Sequence, residues 1–490
     1  MTIRIVAALL ALTCLTHAQD TPPNVLFISI DDLNDWVGCL DGHPQVKTPH
    51  IDALAGRGVN FRNAHCQAPI CNPSRVSMLL GKLPSTTGHY FLAPGFRDAE
   101  VTADAETMFQ YFRKNGYYAS TCGKIFHGKS DPASFDHIER TTGWRRSDKK
   151  IRYTLPGSHP LWDWGEVDVP DEEQRDYITA AWATEQIAEL AKKEQPYFLA
   201  VGFSLPHVPV YASKKWFDLY PLDSVEMPPA PEDDLDDVPE IAVQLSLNPT
   251  APRDAWMKET GEDIHMVRAY LAANSFVDSL VGMMLEALEK SGEAENTVVV
   301  LWSDHGFHLG EKKKWAKRSL WERTTRVPLI FAGPDIVEGA ECPEPVGLID
   351  VWPTLSDLCG LPPRDGLEGH SLTPLLEDPD SEWTYPALTT FGPDNHSLRS
   401  RHFRYTRYAD GSEELYDHRN DPNEHTNLIA DGKHIEVVAD FQQWIPTINV
   451  APVPGSSGSD SPLYGESEGL QKAMQRKKKA NTKRANDPAE

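Results

Sequence analysis

The stretch NVLFISIDDL, residues 24–33, decides how the rest of the chain is read. It is an apolar run, interrupted only by Ser29, that ends in two adjacent carboxylates, Asp31 and Asp32. A run this short and apolar reads as a strand buried on both faces, as in a parallel sheet. PYFLAVGFSLPH (196–207) and NTVVVLWSDHG (296–306) repeat the form, and VPLIFAGP (327–334) reads as a fourth such strand. Between them lie helical patterns, DYITAAWATEQIAELAKK (176–193) and DIHMVRAYLAANSFVDSLVGMMLEALEK (263–290). Alternation of this kind predicts an α/β sandwich with a central, mainly parallel sheet flanked by helices. Ligands of such sheets gather outside the carboxyl ends of the strands. Three strands here end in Asp31-Asp32, His207 and Asp304-His305, which points to one site.

The pattern changes near residue 385. HFRYTRYADGSEELYDHRNDPNEHTNL (402–428) reads as a hairpin, a turn built on Asp421-Pro422 and a helix start. The expected layout is a main domain over 19–385 and a smaller C-terminal α+β subdomain with an antiparallel sheet over 386–450. Residues 451–490 read as a flexible linker, APVPGSSGSDSP, and a basic tail containing QRKKKANTKR.

The 490 residues are 40% apolar and carry a formal net charge of −25, so neither nucleic acid nor an anionic membrane is an expected partner. Residues 1–18 have the form of a secretory signal: Arg4, a short apolar run, and Thr16 and Ala18 before a cleavage point. The chain is therefore expected to be exported, to the periplasm or outside the cell, with no membrane-spanning segment after cleavage. The mature chain would keep Cys39, Cys66, Cys71, Cys122, Cys342 and Cys359. These are too few for a disulfide scaffold, although Cys342 and Cys359 are a candidate pair. No C-x-x-C pair suggests zinc.

Cys71 opens the run CNPSRVSMLLGK (71–82). Pro73 suits the first turn of a helix, and Gly81 falls near its end. A thiol at a helix N-terminus faces backbone N–H groups and is activated. Cys71, Pro73, Ser74 and Arg75, followed by Leu79, Gly81 and Lys82, resemble the signature of the type I sulfatases, and the chain from about 24 to 428 is most similar to the iduronate-2-sulfatase branch. The resemblance implies an alkaline-phosphatase-like sandwich and a cysteine oxidised before folding, by a formylglycine-generating enzyme, to formylglycine. It implies that the hydrated aldehyde attacks sulfur, and that its second hydroxyl then expels sulfate.

The same resemblance implies a metal site of Asp31, Asp32, Cys71, Asp304 and His305 around one divalent cation. Calcium is the first choice for such oxygen ligands, with magnesium or manganese open because His305 stands where many relatives carry asparagine. Lys124 and His127 in GKIFH match the family's Lys-x-x-His, and Lys317 in KKWAKRS matches a downstream family lysine. Arg75 and Lys124 are expected to hold the deprotonated diol, and His127 to act as acid/base in expelling sulfate. His207 and Lys317 are expected to bind the ester oxygens, with His207 protonating the leaving alcohol. Lys312, Lys313 and Lys314 read as surface. Trp162 and Trp164 read as core, with sugar stacking as the alternative, and Arg399 is a candidate uronate contact at the pocket rim. The implied substrate is a sulfated carbohydrate, with a 2-O-sulfated uronic acid as the specific candidate. The alternatives are a phosphoester or phosphonate-ester hydrolase of the same fold, and a non-catalytic glycan-binding relative.

Overall fold

The computed structural model describes residues 22–457; the signal at 1–18 and the basic stretch 475–484 lie outside them. Fourteen strands run along this part of the chain. They are β1 (Asn24–Asp31), β2 (Gly58–His65), β3 (Tyr118–Gly123), β4 (His137–Ile138), β5 (Trp164–Val167), β6 (Tyr197–Pro206), β7 (Val210–Ser213), β8 (Thr297–Ser303), β9 (Leu329–Ala332), β10 (Ala340–Gly347), β11 (Ala387–Thr390), β12 (His396–Arg399), β13 (Phe403–Arg407) and β14 (Glu413–Asp417). Eight of them form the central sheet in the order β10-β2-β9-β8-β1-β6-β3-β4. All neighbours in it are parallel except at β9, which is antiparallel to both β2 and β8. The fourth strand read from VPLIFAGP is therefore real but reversed.

Alternation along β1 fixes both faces of the sheet. Leu26, Ile28 and Ile30 point into one core, shared with the helices Arg175–Leu190 and Glu262–Ser291. Val25 and Phe27 point into the other, shared with the helices Cys71–Leu80, Met108–Lys114 and Val351–Leu358. Trp162 and Trp164 belong to the first core. Glu262–Ser291 is long and apolar enough to cross a bilayer, but 72% of its apolar window is buried inside the protein. Its composition is that of a central core helix.

β11 to β14 form a four-stranded antiparallel sheet. It does not stand apart from the main domain. Ile70, Tyr90, Leu320, Trp321, Phe391, Tyr408 and Tyr416 form one apolar cluster that spans the two. The described part of the linker, residues 451–457, is not loose. Val453 is buried and its N–H bonds the carbonyl of Gly88 at 3.0 Å, and Ser457 and Ala93 exchange two backbone bonds of 3.1 Å. All six cysteines among the described residues are free, so Cys342 and Cys359 are not paired.

Candidate active site

β8, β1 and β6 are adjacent in the sheet, so their carboxyl ends deliver Asp304-His305, Asp31-Asp32 and His207 to one edge. β6 shifts register against β1 where Asp31 faces Pro206, which turns the chain toward His207. At the end of β3, Lys124 folds back over β6 and its N–H bonds the carbonyl of Gly202 at 2.8 Å. Only glycine fits at 202, where a Cβ would lie 2.3 Å from the backbone of Lys124.

Cys71 begins the helix Cys71–Leu80, which carries Pro73 in its first turn and ends at Gly81 in the left-handed region. The side chain is 1% exposed. Its Sγ lies 3.0 Å from Lys317 Nζ, 3.3 Å from His305 Nε2, 3.7 Å from Lys124 Nζ and 4.0 Å from Asp32 Oδ1. Burial pushes the thiol up, but Lys124, Lys317 and His305 more than offset it and hold it well below the ordinary thiol value. His127 also faces this sulfur as a hydrogen-bonding group, while its Nδ1 is buried without a partner.

The carboxylates are tied to the cations. Lys317 Nζ bonds Asp32 Oδ1 at 2.7 Å, and Lys124 bonds Asp31. Burial works against ionisation of Asp31, yet Lys124, His207 and Arg75 leave it well below the usual carboxylate range. His305 is raised to about 9: burial opposes its charge most strongly, and Asp304, Cys71 and Asp32 together outweigh it. Asp32 takes a left-handed backbone, φ 64°, and its N–H bonds Asp304 Oδ1 at 3.1 Å. Strain of this kind in a non-glycine residue persists where the surroundings impose it.

Asp31, Asp32, Cys71 and His305 each offer a ligand atom within 4.8 Å of the others. Asp304 Oδ2 lies 3.5 Å from His305 Nε2, which brings the third carboxylate to the same spot. Asp32 Oδ2 is buried and has no hydrogen-bond partner. An orphaned carboxylate oxygen among two other carboxylates suits a hard divalent cation. The residues present therefore fit such an ion.

Three expectations are corrected by the geometry. Arg75 does not turn its guanidinium to residue 71. Its N–H groups go to Asp304 Oδ2 (2.8 Å), Asp31 Oδ1 (3.1 Å), Ser29 Oγ (3.0 Å) and the carbonyls of Lys124 (2.6 Å) and Ile125 (3.0 Å). It holds in place the two carboxylates Asp31 and Asp304. Arg399 is not at a pocket rim: it lies buried on β12, between two paired strands, and bonds Glu322 and the carbonyl of Ser400. Lys312 and Lys314 are likewise buried, on Asp234 and on the carbonyl of Ser246, and only Lys313 is exposed.

His207 is half-buried and close enough to Asp31 to help lower its carboxyl. Its segment is held by residues that no sequence motif singles out. Arg145 donates to the carbonyls of His207 and Pro209 at 2.9 Å, and Asp176 accepts the N–H groups of Ser204 and Leu205 at 2.9 and 2.8 Å. Ser74 donates to the carbonyl of Asp304 at 2.6 Å and so ties the helix Cys71–Leu80 to the end of β8.

The arrangement is a nucleophile position ringed by fixed cations beside a cation site, which suits displacement at an anionic ester. Comparison with known proteins agrees. The sulfatase family profile matches residues 23–361, and the profile described as N-sulphoglucosamine sulphohydrolase, C-terminal, matches residues 310–450. A sulfatase of Formosa agariphila is 38% identical over 91% of this chain and 90% of its own. The iduronate 2-sulfatase of Homo sapiens is 31% identical over 71% of this chain and 72% of its own. The solved phosphonate monoester hydrolase of Agrobacterium radiobacter superposes with a TM-score of 0.70 at 22% identity, covering 86% of this chain and 94% of that one, which shows the shared alkaline-phosphatase-like fold. The chain belongs to the sulfatase family and is a sulfuric ester hydrolase.

Proposed function

We propose that this exported enzyme hydrolyses sulfate esters of a carbohydrate, with a 2-O-sulfated uronic acid as the specific unit, using formylglycine made from Cys71 and one divalent cation, calcium. The convergence of Lys317, His305, Lys124 and Asp32 on Cys71 Sγ, all within 4.0 Å, carries the reading. The sugar assignment draws on the likeness to iduronate 2-sulfatases.

Sγ stands where the oxygens of a hydrated aldehyde would lie. Such a diol supplies a nucleophilic hydroxyl and a second hydroxyl whose proton loss releases sulfate and restores the aldehyde. Maturation is a two-electron oxidation of the Cys71 Cβ in which sulfur leaves and a carbonyl oxygen replaces it. A formylglycine-generating enzyme would carry it out with dioxygen as oxidant and a thiol as co-reductant, releasing hydrogen sulfide, a disulfide and water. Asp31, Asp32, Asp304 and His305 would hold the cation, which supplies Lewis-acid neutralisation of charge on the sulfate oxygens.

The other side chains follow from their places. Lys124 and Lys317 bring two ammonium groups against the nucleophile position, where negative charge gathers. His127, facing residue 71, takes the proton of the second hydroxyl. His207, close to Asp31, protonates the departing sugar oxygen. Arg75 keeps Asp31 and Asp304 aligned. The test is a panel of sulfated oligosaccharides with sulfate release and product structure as readouts. Loss of sulfate from a 2-O-sulfated uronate by the wild type, and no turnover by a folded Cys71→Ala variant, is the expected result. Release of phosphate rather than sulfate from matched esters, or wild-type turnover by Cys71→Ala, overturns it. Peptide mass spectrometry is expected to show residue 71 lacking one sulfur and two hydrogens and carrying one added oxygen.

A further inference from the structure

Lys317 sits on a stretch of chain that has little regular structure to hold it. From Asp304 to Trp321 there is one short 3-10 turn, Glu311–Lys313. Lys312, Lys313 and Arg318 take left-handed backbone conformations, φ 52°, 53° and 79°. Side chains resist that region, so a loop containing three such residues keeps its shape only if something outside it does the holding.

Both flanks of Lys317 are tied to the C-terminal subdomain. Upstream, Lys312 bonds the backbone carbonyl of Glu424. Downstream, Arg404 reaches over from β13, 1% exposed, and bonds the end of the loop at the carbonyl of Leu320 (3.3 Å) and the short helix Glu322–Thr325 that follows at Thr325 Oγ1 (2.8 Å) and the carboxylate of Glu322. Glu424 fixes the guanidinium from behind, with Oε1 2.6 Å from Nε, and also accepts the N–H of Glu322 at 2.8 Å. Glu322, His418 and Glu424 bring three ligand atoms within 4.8 Å of one another, the spacing of a metal site. Arg404 already neutralises both carboxylates, so the cluster acts as an ion-pair anchor. Between the flanks, the N–H of Arg318 bonds the carbonyl of Pro69, two residues before Cys71.

We propose that Arg404 is a positioning residue for Lys317: through Leu320 and Glu322 it holds the loop so that the Lys317 ammonium stays against residue 71. This rests on the reading that Lys317 binds the sulfate. It makes the C-terminal sheet part of the catalytic apparatus although it contributes no group to the reacting atoms.

A double-mutant cycle tests it in the matured, cation-loaded full chain, with inorganic sulfate as the probe and calorimetric affinity as the readout. Arg404→Lys keeps a buried cation and loses the fork. In the wild-type background it should weaken sulfate binding about tenfold, and in a Lys317→Ala background by less than about twofold. Arg404→Met should weaken it further than Arg404→Lys. Cooperative thermal unfolding checks the fold. If Arg404→Lys does not fold, the isosteric Glu424→Gln takes its place in the same cycle. An equal loss in both backgrounds overturns the proposal and leaves the site reading intact. Unchanged sulfate affinity in Lys317→Ala alone overturns the site reading, and the proposal with it.

Discussion

Replacing Arg75 by lysine keeps one positive charge at the centre of the site and removes the fork. The guanidinium serves five acceptors: two carboxylates, one hydroxyl and two backbone carbonyls. An ammonium has three N–H donors. At least two buried acceptors lose their partner, and a hydrogen bond to a charged group contributes about 1.5–3 kcal/mol. Loss of the face of Trp302, whose ring lies 5.4 Å from the Arg75 guanidinium carbon, adds about 0.5–1 kcal/mol. The carboxylates keep first claim on the remaining donors, so the loss falls on the carbonyls of Lys124 and Ile125. The expected destabilisation is about 3.5–7 kcal/mol. Denaturant unfolding followed by tryptophan fluorescence measures it, and calcium titration of the same variant measures the second effect. With Asp31 and Asp304 no longer held on one rigid group, cation affinity should fall about tenfold or more, the range seen when groups behind metal ligands are removed. A destabilisation below about 1 kcal/mol with unchanged cation affinity would refute the argument that this guanidinium organises the carboxylates.

Three further outcomes are expected. A Cys71→Ser variant has one hydroxyl where the diol has two, so a single turnover should leave sulfate covalently attached at residue 71, seen as added SO3 in the intact mass; its absence on incubation with a substrate of the wild type counts against the two-hydroxyl scheme. Chelation should lower the unfolding temperature of the wild type, because an ion bound by the folded site and not by the unfolded chain stabilises the fold by mass action; equal unfolding temperatures with and without chelator would count against a bound ion. Burial and the nearby Arg318 lower the Lys314 amine from 10.5 to about 7. A lysine depressed in the folded state carries its penalty in full below about pH 7 and loses it as pH rises toward 10.5. Lys314→Met should therefore be more stable than wild type at pH 6 and lose that advantage by pH 10, with stability curves across that range as the measurement.

The strand ends are legible because a buried parallel strand leaves its polar residues in one place, the carboxyl edge. Asp31-Asp32, His207 and Asp304-His305 mark that edge in the sequence itself, and the helix at Cys71 follows from Pro73 and Gly81. The direction of β9 cannot be read this way: four fully buried residues carry no alternation to distinguish parallel from antiparallel pairing. The places of Arg399, Lys312 and Lys314 are hidden for another reason. Their partners are Glu322, Asp234 and Ser246, distant in sequence, and no local pattern shows that a charged side chain will be met by another on folding. The free thiols of Cys342 and Cys359 are hidden likewise, since sequence separation says nothing about thiol orientation.

Cys71 is sealed beneath lysines, an imidazole and carboxylates. A folded copy that still carries the thiol offers no route by which another enzyme could reach it. On the proposed formylglycine chemistry, active protein is decided by a race during synthesis, between the oxidising enzyme and the collapse of the chain around residue 71. Raising expression or temperature should shift specific activity while the yield of folded protein stays constant, and each preparation becomes a mixture whose composition records how that race was run.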